Sequence, residues 1–115
     1  MNDAVRFGRI AAVLAVRNIQ RAEQFYTYGL NFEAVFKNGN PTGFMILKRD
    51  DAELHLTLQP FHKAAAYPVA HLLVDDAAAF YERCRQAGAK IIKGLQDKDY
   101  GLRAFVFAAH DGNRI

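Results

Sequence analysis

Glu53, His55 and His71 are the residues of this sequence whose types and spacing could do chemistry. Glu53 and His55 stand two apart in a run, residues 52–58, where Leu54, Leu56 and Leu58 alternate with Glu53, His55 and Thr57. A strand sends successive side chains to opposite faces, so the leucines share a core face and the carboxylate and imidazole share a polar one. A carboxylate beside an imidazole can orient it, exchange a proton with it, or join it in holding a cation. His71 lies in a second apolar run, residues 69–74, with the strand parity of Val69. If Val69 faces a cavity, so does His71. The sequence does not fix the distance between the two histidines. The simpler reading is therefore a pocket histidine that hydrogen-bonds ligand or water, and the alternative is a relocated metal cluster or acid-base pair.

Other reactive side chains have structural explanations. Asp75 and Asp76 precede an apolar helical stripe, where an Asp caps free backbone N–H groups, so capping explains them better than paired catalysis. Cys84 falls on that stripe and is expected in the core. As the only cysteine of the chain it can form no internal disulfide. His62 and His110 are expected to be exposed. No phosphate-binding loop, dinucleotide fingerprint or nucleophile elbow is present.

These residues must be positioned by the elements around them. Residues 10–16 are an unbroken apolar run of strand length. Asn18 is a strong helix cap, Ile19, Ala22, Phe25 and Tyr26 form one helical stripe, and Gly29 suits a left-handed C-terminal position. Phe32, Ala34 and Phe36 then alternate with Glu33, Val35 and Lys37 as a strand would. Residues 38–43 are dense in turn formers, and residues 44–48 and 52–58 read as two further strands. After a linker at 59–68 the order starts over. Residues 69–74 are a strand, Asp75 and Asp76 the cap, Ala77, Phe80, Tyr81 and Cys84 the stripe, Gly88 the stop, and 89–92 a strand. Residues 93–101 form a polar loop, 102–108 a last strand, and 111–113 a tight turn. This internal duplication implies two similar modules, about 8–58 and 69–115, within a single domain 1–115.

Composition narrows the class. A chain of 115 residues that is 51% hydrophobic can bury a real core. No segment approaches the roughly 20 apolar residues of a membrane span, and the N-terminus lacks the apolar stretch of a signal peptide, so a soluble, cytoplasmic protein is expected. The net charge of +3 is spread among acids, without a basic run or nucleic-acid motif, so neither nucleic acid nor membrane is an expected partner.

Taken in order, Val16-x-Asn18, Phe25-Tyr26, Gly29-Leu30-Asn31-Phe32, Glu53-Leu54-His55-Leu56, Val74-Asp75-Asp76, Gly88, Tyr100-Gly101-Leu102-Arg103 and Asp111-Gly112-Asn113 resemble the glyoxalase, bleomycin-resistance and extradiol-dioxygenase superfamily. The combination is most similar to its bleomycin-resistance-like branch. The resemblance implies an α+β fold of two βαβββ modules, an incomplete eight-stranded barrel with helices outside, closed by a second subunit into a homodimer with two pockets. Metalloenzymes of the group hold a divalent metal with His and Glu, but the corresponding positions here are Ala11 and Val69, and the last glutamate falls just after Ile115. Only Glu53 or His55 stands near a fourth position, so no metal, cofactor or catalytic residue is expected. Phe36, Phe44 and Tyr100 align with aromatics that stack on flat heterocycles in resistance proteins, and Arg103 belongs to the motif beside Tyr100. The ligand-binding set is then Phe36, Phe44, Glu53, His55, His71, Tyr100 and Arg103. The function implied is non-catalytic sequestration of a small molecule, a bleomycin-type antibiotic being the named candidate. The alternative is a divergent metal-dependent lyase, isomerase or dioxygenase.

Overall fold

The computed structural model describes residues 4–97 and 103–115. Tyr100 and the start of the last expected strand at Leu102 lie outside these residues.

The chain runs β1 (Ala12–Val16), α1 (Ile19–Gln24), a π-helical turn (Phe25–Gly29) that continues α1, β2 (Glu33–Asn38), β3 (Phe44–Arg49), β4 (Ala52–Leu58), α2 (Ala77–Gln86), β5 (Lys90–Asp97) and β6 (Arg103–Ala108). One sheet has the order β1-β4-β3-β2 and a second pairs β5 with β6, giving a mixed α+β fold. β4 lies between β1, to which it is parallel, and β3, to which it is antiparallel.

The core is built as the alternation dictates. Leu14 and Val16 of β1, Met45 and Leu47 of β3, and Leu54 and Leu56 of β4 are buried on one face, against Ile19, Ala22, Phe25 and Tyr26 of the helix. Asn18 starts that helix, its Oδ1 accepting from Arg21 N at 3.0 Å. Asp76 starts α2 in the same way, accepting from Ala79 N at 3.0 Å. Cys84 is buried beneath α2, and desolvation pushes its thiol up to about 12.

Several expectations are corrected. β1 begins at Ala12 rather than residue 10, and Ile10 is 96% exposed. The parallel ladder to β4 begins at the Ala12–Leu54 pair, so the apolar run outlasts it. Gly29 is not left-handed; Asn31 is, at φ 60°. Gly29 is needed for another reason, because a Cβ there would lie 2.9 Å from Ala87 Cβ after α2. Residues 69–73 keep strand parity, with Ala70 and Leu72 turned inward and Val69, His71 and Leu73 exposed, but Val74 breaks it by being exposed too, and the run forms no ladder among the described residues. Their pairing is limited to a bridge at Pro68 and a bond from Val69 N to Arg114 O at 2.8 Å. β5 extends to Asp97, through half of the expected polar loop, because β6 offers it an antiparallel partner. The described residues therefore hold six strands in two open sheets instead of eight strands around a barrel.

The last residues tie the halves together. Asn113 Nδ2 donates to Ala15 O at 2.8 Å, and Ile115 exchanges both backbone bonds with Phe107, at 2.9 and 3.0 Å. Gly112 has φ +85° and sits where a Cβ would meet Ala64 Cβ at 2.9 Å, so glycine is required there twice over.

Candidate ligand-binding face

The face of the first sheet turned away from α1 is uncovered. Register places Lys48 opposite both Glu33 and Glu53, Ile46 opposite both Phe36 and His55, His55 opposite Val13, and Phe44 opposite Thr57. Two of the aromatics reach this face by different routes. Phe44 follows strict alternation from Ile46 and Lys48. Phe36 does not: alternation from Phe32 and Ala34 puts it in the core, but the β2 ladder shifts between Ala34 and Phe36. Ala34 pairs with the buried Leu47 and Phe36 with Ile46, so this bulge turns Phe36 outward, where it is 49% exposed.

The result is a lane of rings. Phe36 and Phe44 meet edge to face with centroids 6.3 Å apart, and Phe44 meets His55 edge to face at 5.5 Å. His55 in turn is bonded through Nε2 to Glu53 Oε2 at 2.7 Å. The other oxygen, Glu53 Oε1, accepts from Arg9 Nη2 at 3.1 Å and faces Lys48 Nζ at 3.5 Å. The hydrogen bond from His55, then that from Arg9, then the charge of Lys48, hold the Glu53 carboxyl down at about 2. Glu53 is thus a carboxylate at ordinary pH, and the hydrogen in its short contact with His55 belongs to the imidazole Nε2.

The remaining candidates lie elsewhere. His71 and Arg103 adjoin one cavity of about 290 Å³, floored by Phe80, Phe105 and Phe107. Arg103 also donates through Nε to Asp97 Oδ1 at 2.9 Å. His71 and Glu53 share a smaller cavity of about 120 Å³ with Tyr26 and Leu72. His55 lines neither, so the two histidines are not brought into one cluster. Tyr100 falls outside the described residues. Arg9, Lys48 and Ile46 were missed by sequence reasoning. Strand parity with Phe44 and Glu53 was available as a signal for Ile46 and Lys48, whereas nothing local marks Arg9.

A resident divalent metal does not fit this donor set. Ala11 and Val69 offer no donor atom, both oxygens of Glu53 are already engaged, and among the described residues no group of three His, Cys, Asp or Glu is placed to hold an ion. A larger cavity of about 540 Å³ contains Asp50, Asp51, Asp75 and Asp76 with Arg49 and Arg83. Its arginines serve the fold, Arg49 donating to Leu30 O at 2.9 Å and Arg83 to Gly29 O at 2.7 Å.

His62, expected to be exposed, is half-buried, and its Nε2 is enclosed without a hydrogen-bond partner. Tyr26 OH and Asp111 Oδ2 share that condition. Burial raises the Asp111 carboxyl above its ordinary value, against the opposing bonds from Asn113 and the charges of Arg17 and His62.

The sequence model of the Glyoxalase/Bleomycin resistance protein/Dioxygenase superfamily matches residues 6–115, and the chain belongs to that superfamily. No curated protein matches the sequence. Among solved structures, the chain is similar to a bleomycin resistance determinant encoded on the transposon Tn5, at 24% identity and TM-score 0.79, over 94% of this chain and 93% of that one. A bleomycin-binding protein complexed with bleomycin is similar at 24% identity and TM-score 0.78, over 94% of each chain. TioX from Micromonospora sp. ML1 follows at 20% identity and TM-score 0.74, also over 94% of each. At these identities the likeness is one of fold.

Proposed function

We propose that this protein is a non-catalytic, cytoplasmic binding protein that sequesters a flat aromatic small molecule, bleomycin-type antibiotics being the named candidate, in pockets completed by a second copy of the chain. The observation that carries the reading is the lane Phe36–Phe44–His55 on an uncovered sheet face. Ring surfaces set edge to face along two strands offer area and quadrupole contact to a planar ligand without covalent work. The similarity in fold to a bleomycin-binding protein supports the named candidate.

Charge is the main argument against bleomycin, which is cationic, because this chain carries +3 overall. Long-range steering of a cation is unfavourable under that balance, so binding must come from the local face. The decisive experiment is a calorimetric titration with metal-free bleomycin at moderate salt. Submicromolar binding at about one drug per chain is the expected result. Absence of heat at high drug concentration removes bleomycin as the ligand.

A further inference from the structure

We propose that the ligand of this face presents a hydrogen-bond donor to His55 Nδ1, so that the face selects planar heteroaromatic groups bearing an N–H or O–H over rings of equal shape that lack one. The inference rests on the binding reading above and deepens it by naming the ligand class.

The argument begins with Glu53. It is the carboxylate nearest the ring lane, and a cationic ligand would need one of its oxygens. Both oxygens already hold partners: Oε1 accepts from Arg9 and faces Lys48, and Oε2 is bonded to His55 Nε2. Glu33, on the same face, stands opposite Lys48. Each carboxylate of the face has a cation beside or opposite it, so selectivity rests on the hydrogen-bonding group next to them, His55.

The bond at 2.7 Å also fixes the imidazole. With Glu53 as an acceptor only, the neutral ring carries its hydrogen on Nε2, and Nδ1 is left with a lone pair. No hydrogen bond to Nδ1 is found among the described residues, and the His55 side chain is 23% exposed. The ring carrying this lone pair stands edge to face with Phe44, at an interplanar angle of 84°. A flat molecule lying along the Phe36 and Phe44 rings reaches the His55 ring at the end of the lane, where Nδ1 is the nitrogen left to bond it. Covering that acceptor with a ring that has no donor strips its water and returns nothing, which is how a polar group discriminates between isosteres. Glu53 acts here as a positioning residue: it chooses the nitrogen that faces the ligand.

The test compares indole with benzothiophene, two uncharged fused rings of similar shape of which only the first carries an N–H. Dissociation constants come from chemical-shift titration of the full chain, its His55→Phe variant and its Glu53→Gln variant. The expected result is a preference of about tenfold for indole in the unaltered protein. That preference disappears in His55→Phe, while both rings still bind through stacking. It narrows in Glu53→Gln, because an amide no longer dictates the tautomer. Nitrogen NMR of the unliganded protein at alkaline pH, where an imidazole is neutral, is expected to place the single ring hydrogen of His55 on Nε2 and not on Nδ1. Equal binding of the two rings, or a preference that survives His55→Phe, overturns this inference while leaving the aromatic face standing. Failure of either ring to bind overturns the binding reading and the inference with it.

Discussion

Glu53 and Asp111 are both carboxylates with a histidine nearby, yet their surroundings push them in opposite directions. Glu53 is held at about 2 by His55, Arg9 and Lys48, while Asp111 is raised from 3.8 by burial. The sign of each contribution follows from linkage. Asp111 binds its proton more tightly folded than unfolded, so its contribution to stability is complete below its unfolded value and is lost as pH rises through the folded one. Glu53 behaves in reverse, contributing above its unfolded value of 4.5 and losing that contribution as pH falls toward 2. Melting temperatures between about pH 4 and pH 7 should therefore decline less steeply in Asp111→Asn than in the unaltered protein. Parallel curves would show that Asp111 does not titrate differently on folding. Tyr26 offers a second check at this scale. Its hydroxyl is enclosed without a partner, and desolvation raises it, followed by the nearby charges of Asp111 and Cys84. Removing an unpaired buried hydroxyl relieves a cost of about 1–3 kcal/mol, so Tyr26→Phe is expected to hold or raise the urea midpoint. A marked drop would mean that the hydroxyl is paired in solution. None of this was legible in the sequence, where Tyr26 reads only as a stripe residue and His62 as a linker residue.

Single elements show where local pattern suffices and where it stops. The caps at Asn18 and Asp76 and the alternation of β4 were readable because they depend on a few neighbouring residues. The β2 bulge was not, since it exists only in register with β3, and it decides which face Phe36 occupies. This placement has a measurable consequence. Phe36→Ala is expected to cost less than about 1 kcal/mol of stability while weakening ligand binding, whereas Leu56→Ala, in the core, should cost about 2–5 kcal/mol. Equal costs in urea denaturation would return Phe36 to the core. Gly29 makes the same point from another side. Its position after the stripe marked it as a helix stop, but its role is contact with Ala87, 58 residues later in sequence, and that approach has no local signature. Gly29→Ala should destabilise by about 1–3 kcal/mol through overcrowding, and Ala87→Gly in the same chain should restore much of the loss. Failure of the second change to restore stability would place the cost in the backbone of Gly29 instead.

At the scale of the molecule, the repeat of cap, stripe and glycine was legible in the sequence, whereas the strands around it differ between the halves. That the sheets stay open was not legible, because it depends on which strand finds a partner. In a single chain the first sheet leaves Val13 61% exposed beside His55, with Val35 and Phe36 also on the surface, while Val69 and Leu73 are exposed in the second half. Apolar residues gathered on a sheet face favour a covering partner, and a second copy of the chain is the one that would also enclose the ring lane. Sedimentation is then expected to give twice the 12.9 kDa of one chain, with a melting temperature that rises with protein concentration. Val13→Asp sets a charge at the β1 edge of that face without touching the core beneath it. It should shift the protein toward monomer and weaken ligand binding together, while the unfolding of the separated chain changes by less than about 0.5 kcal/mol. If the variant is monomeric yet binds one ligand per chain with unchanged affinity, the second copy contributes nothing to the pocket, and the open face of a single chain is the whole of the site.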